Sequence, residues 1–220
     1  MIGDSFDAVR GIFLQFQQDA KKIGLNINED KTKYLHLTQY SSVRLPTKIN
    51  KGSSIFERPL EFKYIGALIT DDNEMRKEIH MRICNAWKNT HSLYSLLRFK
   101  LLSIALKIQL YHSVIQPIVI YGCETGNLSK MDEESRLRFE RKILRIIFGP
   151  TQDMATNEYR NRSNLELRDL YQSPNIVQLI KSRRLRWAEQ VIRSDHSRII
   201  KSVWEKSPDG KRPRKRPRMR

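Results

Sequence analysis

The fold is decided by a stretch that opens with the strand-like run Phe62-Lys63-Tyr64-Ile65-Gly66-Ala67-Leu68-Ile69-Thr70 and ends at Gly149-Pro150. A polar turn at Asp71-Asp72-Asn73 follows this run. Three helical patterns come next, because apolar residues recur there at spacings of three and four. The sequence therefore predicts a strand followed by three amphipathic helices in one compact unit.

Each helical pattern has its own end signals. The first covers Ile79–Leu97, and the second begins after the capping residue Ser103 and is disturbed at Pro117, which lacks an N–H. The third starts with a capping box at Ser129–Asp132 and stops at Gly149-Pro150. Its predicted apolar stripe is Leu137, Leu144, Ile147 and Phe148, and its other faces hold Arg136, Arg138, Arg141, Lys142 and Arg145.

One helix and short strands are expected before this stretch. Asp4 or Ser5 can cap a helix that ends at Gly24. A short strand is predicted around Tyr34–Leu37, and the polar residues 39–54 favour a hairpin or an exposed loop.

Beyond residue 150 a polar linker is expected at 151–163, and helical patterns follow at 164–171, 174–193 and around 199–204. Pro174 suits the first position of the second of these helices. The predicted fold class is therefore α+β and mainly α-helical. A small antiparallel sheet would be followed by a helical bundle and a basic helical C-terminal region.

The charge of the chain indicates its class of partner. The 220 residues include 41 Lys and Arg against 24 Asp and Glu, a net charge of +17 at pH 7. Residues 151–220 alone hold 18 basic and 8 acidic residues. Such an excess favours a polyanion, and nucleic acid is the expected partner. Charge of this kind supplies affinity and no sequence specificity.

The two cysteines, Cys84 and Cys123, form neither a disulfide framework nor a Cys-x-x-Cys zinc pair, which favours a reducing compartment. No apolar run approaches the roughly 18 residues of a membrane span. The N-terminus has no secretory signal. We expect an intracellular protein without a membrane partner.

Several short motifs give the chain a specific resemblance. In order, they are Phe62–Gly66, Arg82-Ile83, Tyr121–Thr125 and Phe139–Gly149. Together they look like the end of the palm and the thumb of a non-LTR retrotransposon (LINE-type) reverse transcriptase. Gly24–Lys33 resembles the fourth palm motif of that family.

The likeness continues beyond the thumb, where Arg183–Trp187 and the tail Gly210–Arg218 resemble the segment that follows it. Gly126 departs from the family, which usually has Trp there, and Ala188-Glu189 replaces a usual Gly-His pair. The resemblance implies four segments. They are 1–70, a partial palm; 71–150, a thumb-like three-helix bundle; 151–209, a basic helical segment; and 210–220, a basic tail expected to be disordered.

Polymerase chemistry in the resembled family depends on aspartates that hold two metal ions, which are Mg²⁺ in the intact enzymes. The family carries them before the first palm helix and as a pair on a hairpin, and neither is recognisable here. Met1–Val9 resembles the residues that follow the pair. Asp71-Asp72 and Glu133-Glu134 are interpreted as helix-start residues. We therefore expect a truncated fragment that has no metal site or cofactor, is inactive alone and has an upstream polymerase half as a partner.

The resemblance assigns roles to individual residues. Lys31 matches a lysine that helps to protonate or neutralise the departing pyrophosphate, and the alternative is a surface lysine after a turn. Tyr64-Ile65-Gly66 matches the turn that grips the primer end, and the alternative is an ordinary strand with a bulge. Phosphate contacts are expected from Arg183, Arg184, Arg186, Lys211, Arg212, Arg214, Lys215, Arg216, Arg218 and Arg220.

Three functions follow from these observations. The first is a truncated RNA-directed DNA polymerase of mobile-element origin that binds nucleic acid but lacks the catalytic aspartates. The second is a non-enzymatic nucleic-acid-binding protein derived from the thumb and acting in the nucleus, since the basic tail also fits a nuclear import signal. The third is a small basic helical protein of no polymerase ancestry.

Overall fold

The computed structural model describes residues 1, 3, 5–28, 31–36, 48–51, 54–126, 128–153 and 157–205. The chain divides into two compact units, Met1–Glu78 and Ile79–Arg220. Helices dominate and the strands form short antiparallel pairs, so the predicted α+β, mainly α-helical fold class is confirmed. The division into four segments stays a prediction. Among the described residues, no helix combines the length and the apolar character needed to cross a membrane.

The first unit begins with helix α1, Phe6–Lys22. The Ser5 hydroxyl caps it by accepting the Ala8 N–H at 3.2 Å, which confirms the predicted start; Asp4 lies outside the described residues. The helix packs through the Phe13 ring, whose edge meets the ring of Phe56 at a centroid distance of 5.0 Å. Both phenylalanines are buried, so this contact anchors α1 within its unit.

A hairpin follows, formed by β1, Lys48–Lys51, and β2, Ser54–Glu57. It confirms the hairpin as one of the two alternatives predicted for the polar residues 39–54. Residues 39–47, 52 and 53 of that segment lie outside the described part. The strand predicted around Tyr34–Leu37 is wrong for residues 34–36, and Leu37 is not described. The Tyr34 N–H donates to the Glu57 carbonyl at 3.1 Å, a single bond that does not extend into a ladder.

The predicted single strand at residues 62–70 is a second hairpin, formed by β3, Glu61–Tyr64, and β4, Ala67–Thr70. Ile65 and Gly66 connect the strands with φ angles of +48° and +77°. Two consecutive residues with positive φ match the twist of an antiparallel pair, which is why this turn folds the chain back tightly. Apart from Gly66 the run 62–70 holds none of the residues that mark turns, so the sequence predicts one strand.

The turn after β4 leads into helix α2, Met75–Ser92. Asp72 accepts the Glu74 N–H at 3.1 Å and lies 3.2 Å from the Lys77 ammonium, while Asp71 lies 3.3 Å from the Arg58 guanidinium. The pKa of Asp72 is lowered, chiefly by a hydrogen bond from the Thr70 side chain. Both carboxylates therefore stabilise this turn ahead of the helix, as the sequence predicts.

The long first helical pattern is interrupted. Helix α2 ends at Ser92 and a short helix α3, Tyr94–Arg98, follows after Leu93, so the prediction of one helix over Ile79–Leu97 is wrong. The interruption still lets Leu97 reach the core, where it is fully buried.

The second helical pattern continues past the proline. Helix α4, Ile104–Leu110, is capped by Ser103 as predicted, but it passes through a π-helical turn at Tyr111–Ile115 into α5, Gln116–Ile120. The Gln116 N–H donates to the carbonyl of Tyr111, five residues earlier. Proline has no N–H to donate to an earlier carbonyl. The wider hydrogen-bond spacing immediately before Pro117 accommodates this, so the pattern of helical hydrogen bonds changes there but the helix does not end.

Helix α6, Lys130–Phe148, has the predicted capping box at Ser129 and Asp132 and ends at Gly149, whose φ is +69°. Its predicted stripe is confirmed, since Leu144 and Ile147 are core residues and half-buried Leu137 and Phe148 pack against the core, but the prediction of Arg136 on another face is wrong, because Arg136 is buried. The buried row follows helical spacing from Asp132 through Arg136 and Phe139 to Ile147. Its members are Asp132, Arg136, Phe139, Glu140, Ile143, Leu144 and Ile147.

The C-terminal region is more regular than expected. Within the predicted linker 151–163, β5, Thr151–Gln152, pairs with β6, Tyr159–Arg160, so the linker prediction is wrong there. Three helices follow, as predicted: α7, Asn164–Tyr171; α8, Ile176–Arg193; and α9, Ile199–Glu205.

Pro174 does not occupy the first position of α8. Asn175 caps this helix, and its side-chain oxygen accepts the N–H groups of Val177 and Gln178 at 3.1 and 3.0 Å. The proline therefore precedes the cap, because an asparagine side chain can satisfy the free N–H groups of the first turn.

Helix α6 is the centre of the second unit. It contacts α3, α4, α7 and α8. One hydrophobic cluster joins its buried row to residues of all these helices, so the helices on either side of residue 150 share a core. The fully buried members include Leu97, Tyr111, Ile115, Ile143, Leu167, Ile176 and Ile180.

A buried carboxylate lies within this core. Glu140 is 2% exposed and accepts the Tyr111 hydroxyl at 3.1 Å and the Ile176 N–H at 3.0 and 3.1 Å. Burial raises the pKa of Glu140, while the two donors act in the opposite direction. The carboxylate thereby joins the π-helical turn and the first residue of α8 to α6.

We predict that Tyr111→Phe lowers the free energy of unfolding by about 1–2 kcal/mol, because it removes one donor to a buried carboxylate. Urea unfolding followed by circular dichroism measures the change. Tyr159→Phe is the matched control, since Tyr159 is 74% exposed and its variant should unfold like the wild type. Equal stability of the two variants would show that the bond to Glu140 does not stabilise the unit.

Candidate nucleic-acid interface

Helix α8 has one apolar face, and the remaining surface of the helix, which we call its basic face, carries most of its basic side chains. Ile176, Val177 and Ile180 are buried in the core, Val191 is also buried, and α8 contacts both α6 and α5. The basic residues lie elsewhere on the helix, which follows from a helical period of 3.6 residues. The core therefore fixes the position of the basic face of α8.

The predicted phosphate-binding arginines of α8 differ in exposure. Arg186 is exposed, Arg184 is half-buried, and the Arg183 side chain is 44% exposed with its guanidinium 3.8 Å from the Glu124 carboxylate. Lys181, one turn earlier, lies 2.8 Å from Glu133 of α6. Exposed pairs of this kind contribute little to stability, so a phosphate can exchange with either carboxylate.

An open depression lies at the C-terminal end of α8. It is bordered by Arg186, Arg193 and Arg198 together with Glu189 and Asp195. Glu189 pairs with Arg193. The depression therefore combines both signs of charge, which makes it a weak anion site.

The tryptophans show how α9 is held. Trp187 of α8 meets Trp204 of α9 edge to face, with ring centroids 5.9 Å apart. Trp204 remains 49% exposed, whereas Trp87 packs its ring against that of buried Phe139 at 5.1 Å. Core packing thus accounts for Trp87 more completely than for Trp204.

The segment Tyr121–Thr125 lies beside α8. Gly122 has a φ of +66°, which suits glycine and turns the chain after α5. The Arg82 guanidinium lies over the Tyr121 ring at 4.4 Å from its centroid. Cys123 is buried, and burial raises the pKa of its thiol to about 11, so the thiol stays protonated at neutral pH.

Motifs that are far apart in sequence therefore come together in the second unit. Arg82 meets Tyr121, Trp87 meets Phe139, and Arg183 lies near Glu124. These contacts link α2, the segment after α5, α6 and α8. The motifs Arg82-Ile83, Tyr121–Thr125 and Arg183–Trp187 thus lie next to one another, and Phe139 of a fourth motif packs on α2 through Trp87.

Some basic residues have structural roles instead. Arg145 donates to the Arg162 carbonyl at 3.1 Å and to the Asn164 side chain at 2.8 Å, and Arg162 donates to the Gly149 carbonyl at 3.1 Å. Lys142 lies 5.8 Å from the centre of the Trp87 ring. Not every cation of the thumb-like motif is therefore available to a ligand.

Arg136 is buried, although the sequence predicts it outside the apolar stripe of α6. It is 6% exposed, and its Nε and Nη1 atoms have no hydrogen-bond partner within the described residues. Burial lowers the pKa of Arg136, and the charge of nearby Arg184 lowers it further. Its position three residues before Phe139 and seven before Ile143 was the signal that could have placed it inward.

The remaining predicted site residues lie in the first unit or outside the described part. Lys31 is exposed in a turn closed by Asn28, whose side-chain oxygen accepts the Lys31 N–H at 3.0 Å. This geometry fits a surface lysine, and the catalytic role stays a prediction. The tail cations Lys211, Arg212, Arg214, Lys215, Arg216, Arg218 and Arg220 lie outside the described residues.

Tyr64, Ile65 and Gly66 lie at the tip of the β3–β4 hairpin. Tyr64 pairs with Ala67 across the turn, so the alternative of a strand with a bulge is wrong. Ile65 is 71% exposed and adopts a left-handed conformation that disfavours β-branched residues. An exposed, strained turn agrees with the predicted turn geometry, while its primer-grip role stays a prediction.

Metal-ligating side chains are scattered in the part of the chain that the structure covers. No three of its His, Cys, Asp and Glu side chains form a group suited to a metal ion. The pairs that do approach each other are Cys84 and His80 on α2, with 3.7 Å between the sulfur and Nδ1, and His196 and Glu205, with 3.2 Å between Nδ1 and the carboxylate.

Comparison with known proteins gives one informative similarity. A putative uncharacterized transposon-derived protein of Caenorhabditis elegans is 28% identical over 202 residues, which are 87% of this chain and 67% of that protein. No model of a known protein family matches the chain, and no solved structure is similar to it. The similarity points to a mobile-element origin.

Proposed function

We propose that this chain is the palm end and thumb of a reverse transcriptase of the non-LTR retrotransposon type, and that it binds nucleic acid through phosphate contacts. The observation that carries the proposal is the meeting of the reverse-transcriptase-like motifs around α8, with Arg183 3.8 Å from Glu124. The transposon-derived relative supports the same origin.

The charge of α8 supports phosphate binding. Its apolar face is held in the core, and it carries Lys181, Arg183 and Arg186, which are exposed, and Arg184, which is half-buried. Arginine and lysine at such a surface neutralise phosphates and release counterions, which drives binding without reading bases. The net charge of +17 favours the same ligand.

Binding without catalysis is the form of this function that we favour. Asp71 and Asp72, an adjacent acidic pair, are engaged by Arg58, Lys77 and the Glu74 N–H. Glu133 and Glu134 pair with Lys181 and Arg138. These carboxylates stabilise the fold, whereas a polymerase must reserve its carboxylates for metal ions. An upstream polymerase half that supplies them is a proposed partner.

A nuclear nucleic-acid-binding protein derived from the thumb is the second candidate. The basic residues 211–220 favour it, since such a run is typical of nuclear import signals and of phosphate-binding tails. The two candidates share the binding surface on α8 and differ in whether a separate polymerase half is needed.

We predict salt-dependent binding to a primer–template duplex, with the logarithm of the association constant falling linearly with the logarithm of salt concentration. Replacing Arg183, Arg184 and Arg186 by Gln should weaken binding at least about tenfold and reduce the slope by about 2–3, roughly one for each lost phosphate contact. Fluorescence anisotropy at several salt concentrations measures both effects.

The matched control replaces Arg10, Lys21 and Lys22 by Gln, which removes the same charge from exposed positions of α1. It should change the affinity only slightly. Equal losses in both triple variants would show that net charge alone, and not the face of α8, determines binding. A variant ending at Ser207 tests the tail, and affinity equal to that of the full chain would remove the proposed role of the tail.

We also predict no primer extension by the purified chain with Mg²⁺ or Mn²⁺, because its adjacent carboxylates have structural roles. A radiolabelled primer–template assay with deoxynucleotides measures this. Incorporation that survives stringent purification, and that disappears when Lys31 is replaced by Ala, would contradict binding without catalysis and would assign Lys31 the role that the resemblance implies.

A further inference from the structure

Arg136 is a buried cation without matching acceptors. Its Nε and Nη1 atoms lack hydrogen-bond partners among the described residues, and only 6% of the residue is exposed. Burying a charged group is unfavourable unless other groups pair with it and accept its hydrogen bonds. The two unused donors therefore favour an acceptor that the described residues do not supply.

The nearby carboxylates are already engaged. Asp132, one turn earlier, accepts the Ser129 hydroxyl at 2.6 Å and its N–H at 3.2 Å in the capping box. Glu133 lies 2.8 Å from the Lys181 ammonium, and Glu124 lies 3.8 Å from Arg183. The charge of Asp132 favours charged Arg136, but the two orphan nitrogens still lack an acceptor.

Two further arginines lie on the part of α8 that faces the start of α6, since Lys181 lies 2.8 Å from Glu133 of α6 and Arg183 lies 3.8 Å from Glu124 after α5. Arg184 lies close enough to lower the pKa of Arg136 by charge repulsion. Arg183 and Arg136 both act on the Cys123 thiol in the segment after α5, where their charges oppose the rise that burial causes in its pKa. Arg136 and Arg183 therefore both lie in the neighbourhood of Cys123, and Arg184 lies in that of Arg136.

The positive charge of these three arginines determines what kind of ligand would fit. Guanidinium groups repel one another, and an oxyanion placed among them relieves this repulsion and accepts their hydrogen bonds. Arg183 is 3.8 Å from Glu124, which is longer than a hydrogen bond, so its donors remain able to turn towards an anion. A small tetrahedral anion has enough acceptors for several guanidinium groups.

We propose that Arg136, Arg183 and Arg184 form a binding site for a single phosphate group, with Arg136 as its innermost donor. The site deepens the nucleic-acid binding proposed above, because it rests on that function for the source of the phosphate, a nucleic-acid backbone or end. Free inorganic phosphate offers the same chemistry and serves as the probe.

The test compares thermal unfolding in phosphate with thermal unfolding in chloride at equal ionic strength and pH. At a phosphate concentration ten times the dissociation constant, we expect the wild-type Tm to rise by roughly 3–6 °C. Arg136→Leu should abolish this rise. Its Tm in chloride should be equal to or higher than that of the wild type, because an apolar side chain replaces an unpaired buried charge.

Arg138→Leu is the matched control. Arg138 lies on the same helix and loses the same charge, but its side chain is exposed and pairs with Glu134 at 2.8 Å. It should keep the full phosphate shift. No phosphate-specific shift in the wild type, or an equal shift in Arg136→Leu, would refute the site. If Arg136→Leu does not fold, Arg184→Gln replaces it, and a retained shift in that variant refutes the site.

Titration with 5′-phosphorylated and unphosphorylated oligonucleotides separates this site from the wider function. A stronger effect of Arg136→Leu on the phosphorylated strand identifies a terminal phosphate, and equal losses for both strands identify a backbone phosphate. A phosphate shift without any oligonucleotide binding would keep the site and refute the proposed function. Oligonucleotide binding that Arg136→Leu leaves unchanged would keep the function and refute the site.

Discussion

The buried carboxylate of Glu140 is the interaction on which the helical unit depends. It accepts the Tyr111 hydroxyl from the π-helical turn and the Ile176 N–H from the first residue of α8. A buried carboxylate is tolerated when such donors surround it, and removing them leaves a charge without compensation. Because α6 carries Glu140 at its middle, one side chain fixes where α8 begins. The basic face of α8 is therefore positioned by a polar contact inside an apolar core.

Many elements could be predicted from the sequence because their signals are local. The capping residues Ser5, Ser103 and Ser129 start the helices that were expected of them, and Gly149 ends α6. Features that depend on tertiary contacts were missed. Ile65-Gly66 reverses the chain inside an apolar run, Pro117 is accommodated by a wider turn, and Asn175 takes the cap next to Pro174. Each of these outcomes depends on packing or on a competing hydrogen bond. Neither can be inferred from the periodicity of apolar residues.

In the candidate site, too, some residues could be predicted from local signals, and others depend on tertiary contacts. The sequence predicts the arginines of α8 at a phosphate-binding surface, and Arg183 lies beside the segment that holds Cys123 and Glu124. Arg136 was assigned to a polar face, since a lone arginine near Leu137 looks solvent-exposed until the buried row of α6 is known. The basic residues of the chain thus have different roles. Arg145 and Arg162 hold α6 to the segment before α7, whereas Arg186 is exposed.

Native-state hydrogen exchange at the Ile176 amide tests the central claim most directly. The first N–H groups of a helix lack intrahelical acceptors and normally exchange quickly. Because Glu140 accepts this N–H, the amide of Ile176 should exchange as slowly as that of Ile143 in the middle of α6, through unfolding of the whole unit. Exchange of Ile176 that is orders of magnitude faster than that of Ile143 would contradict a carboxylate that holds α8 in place.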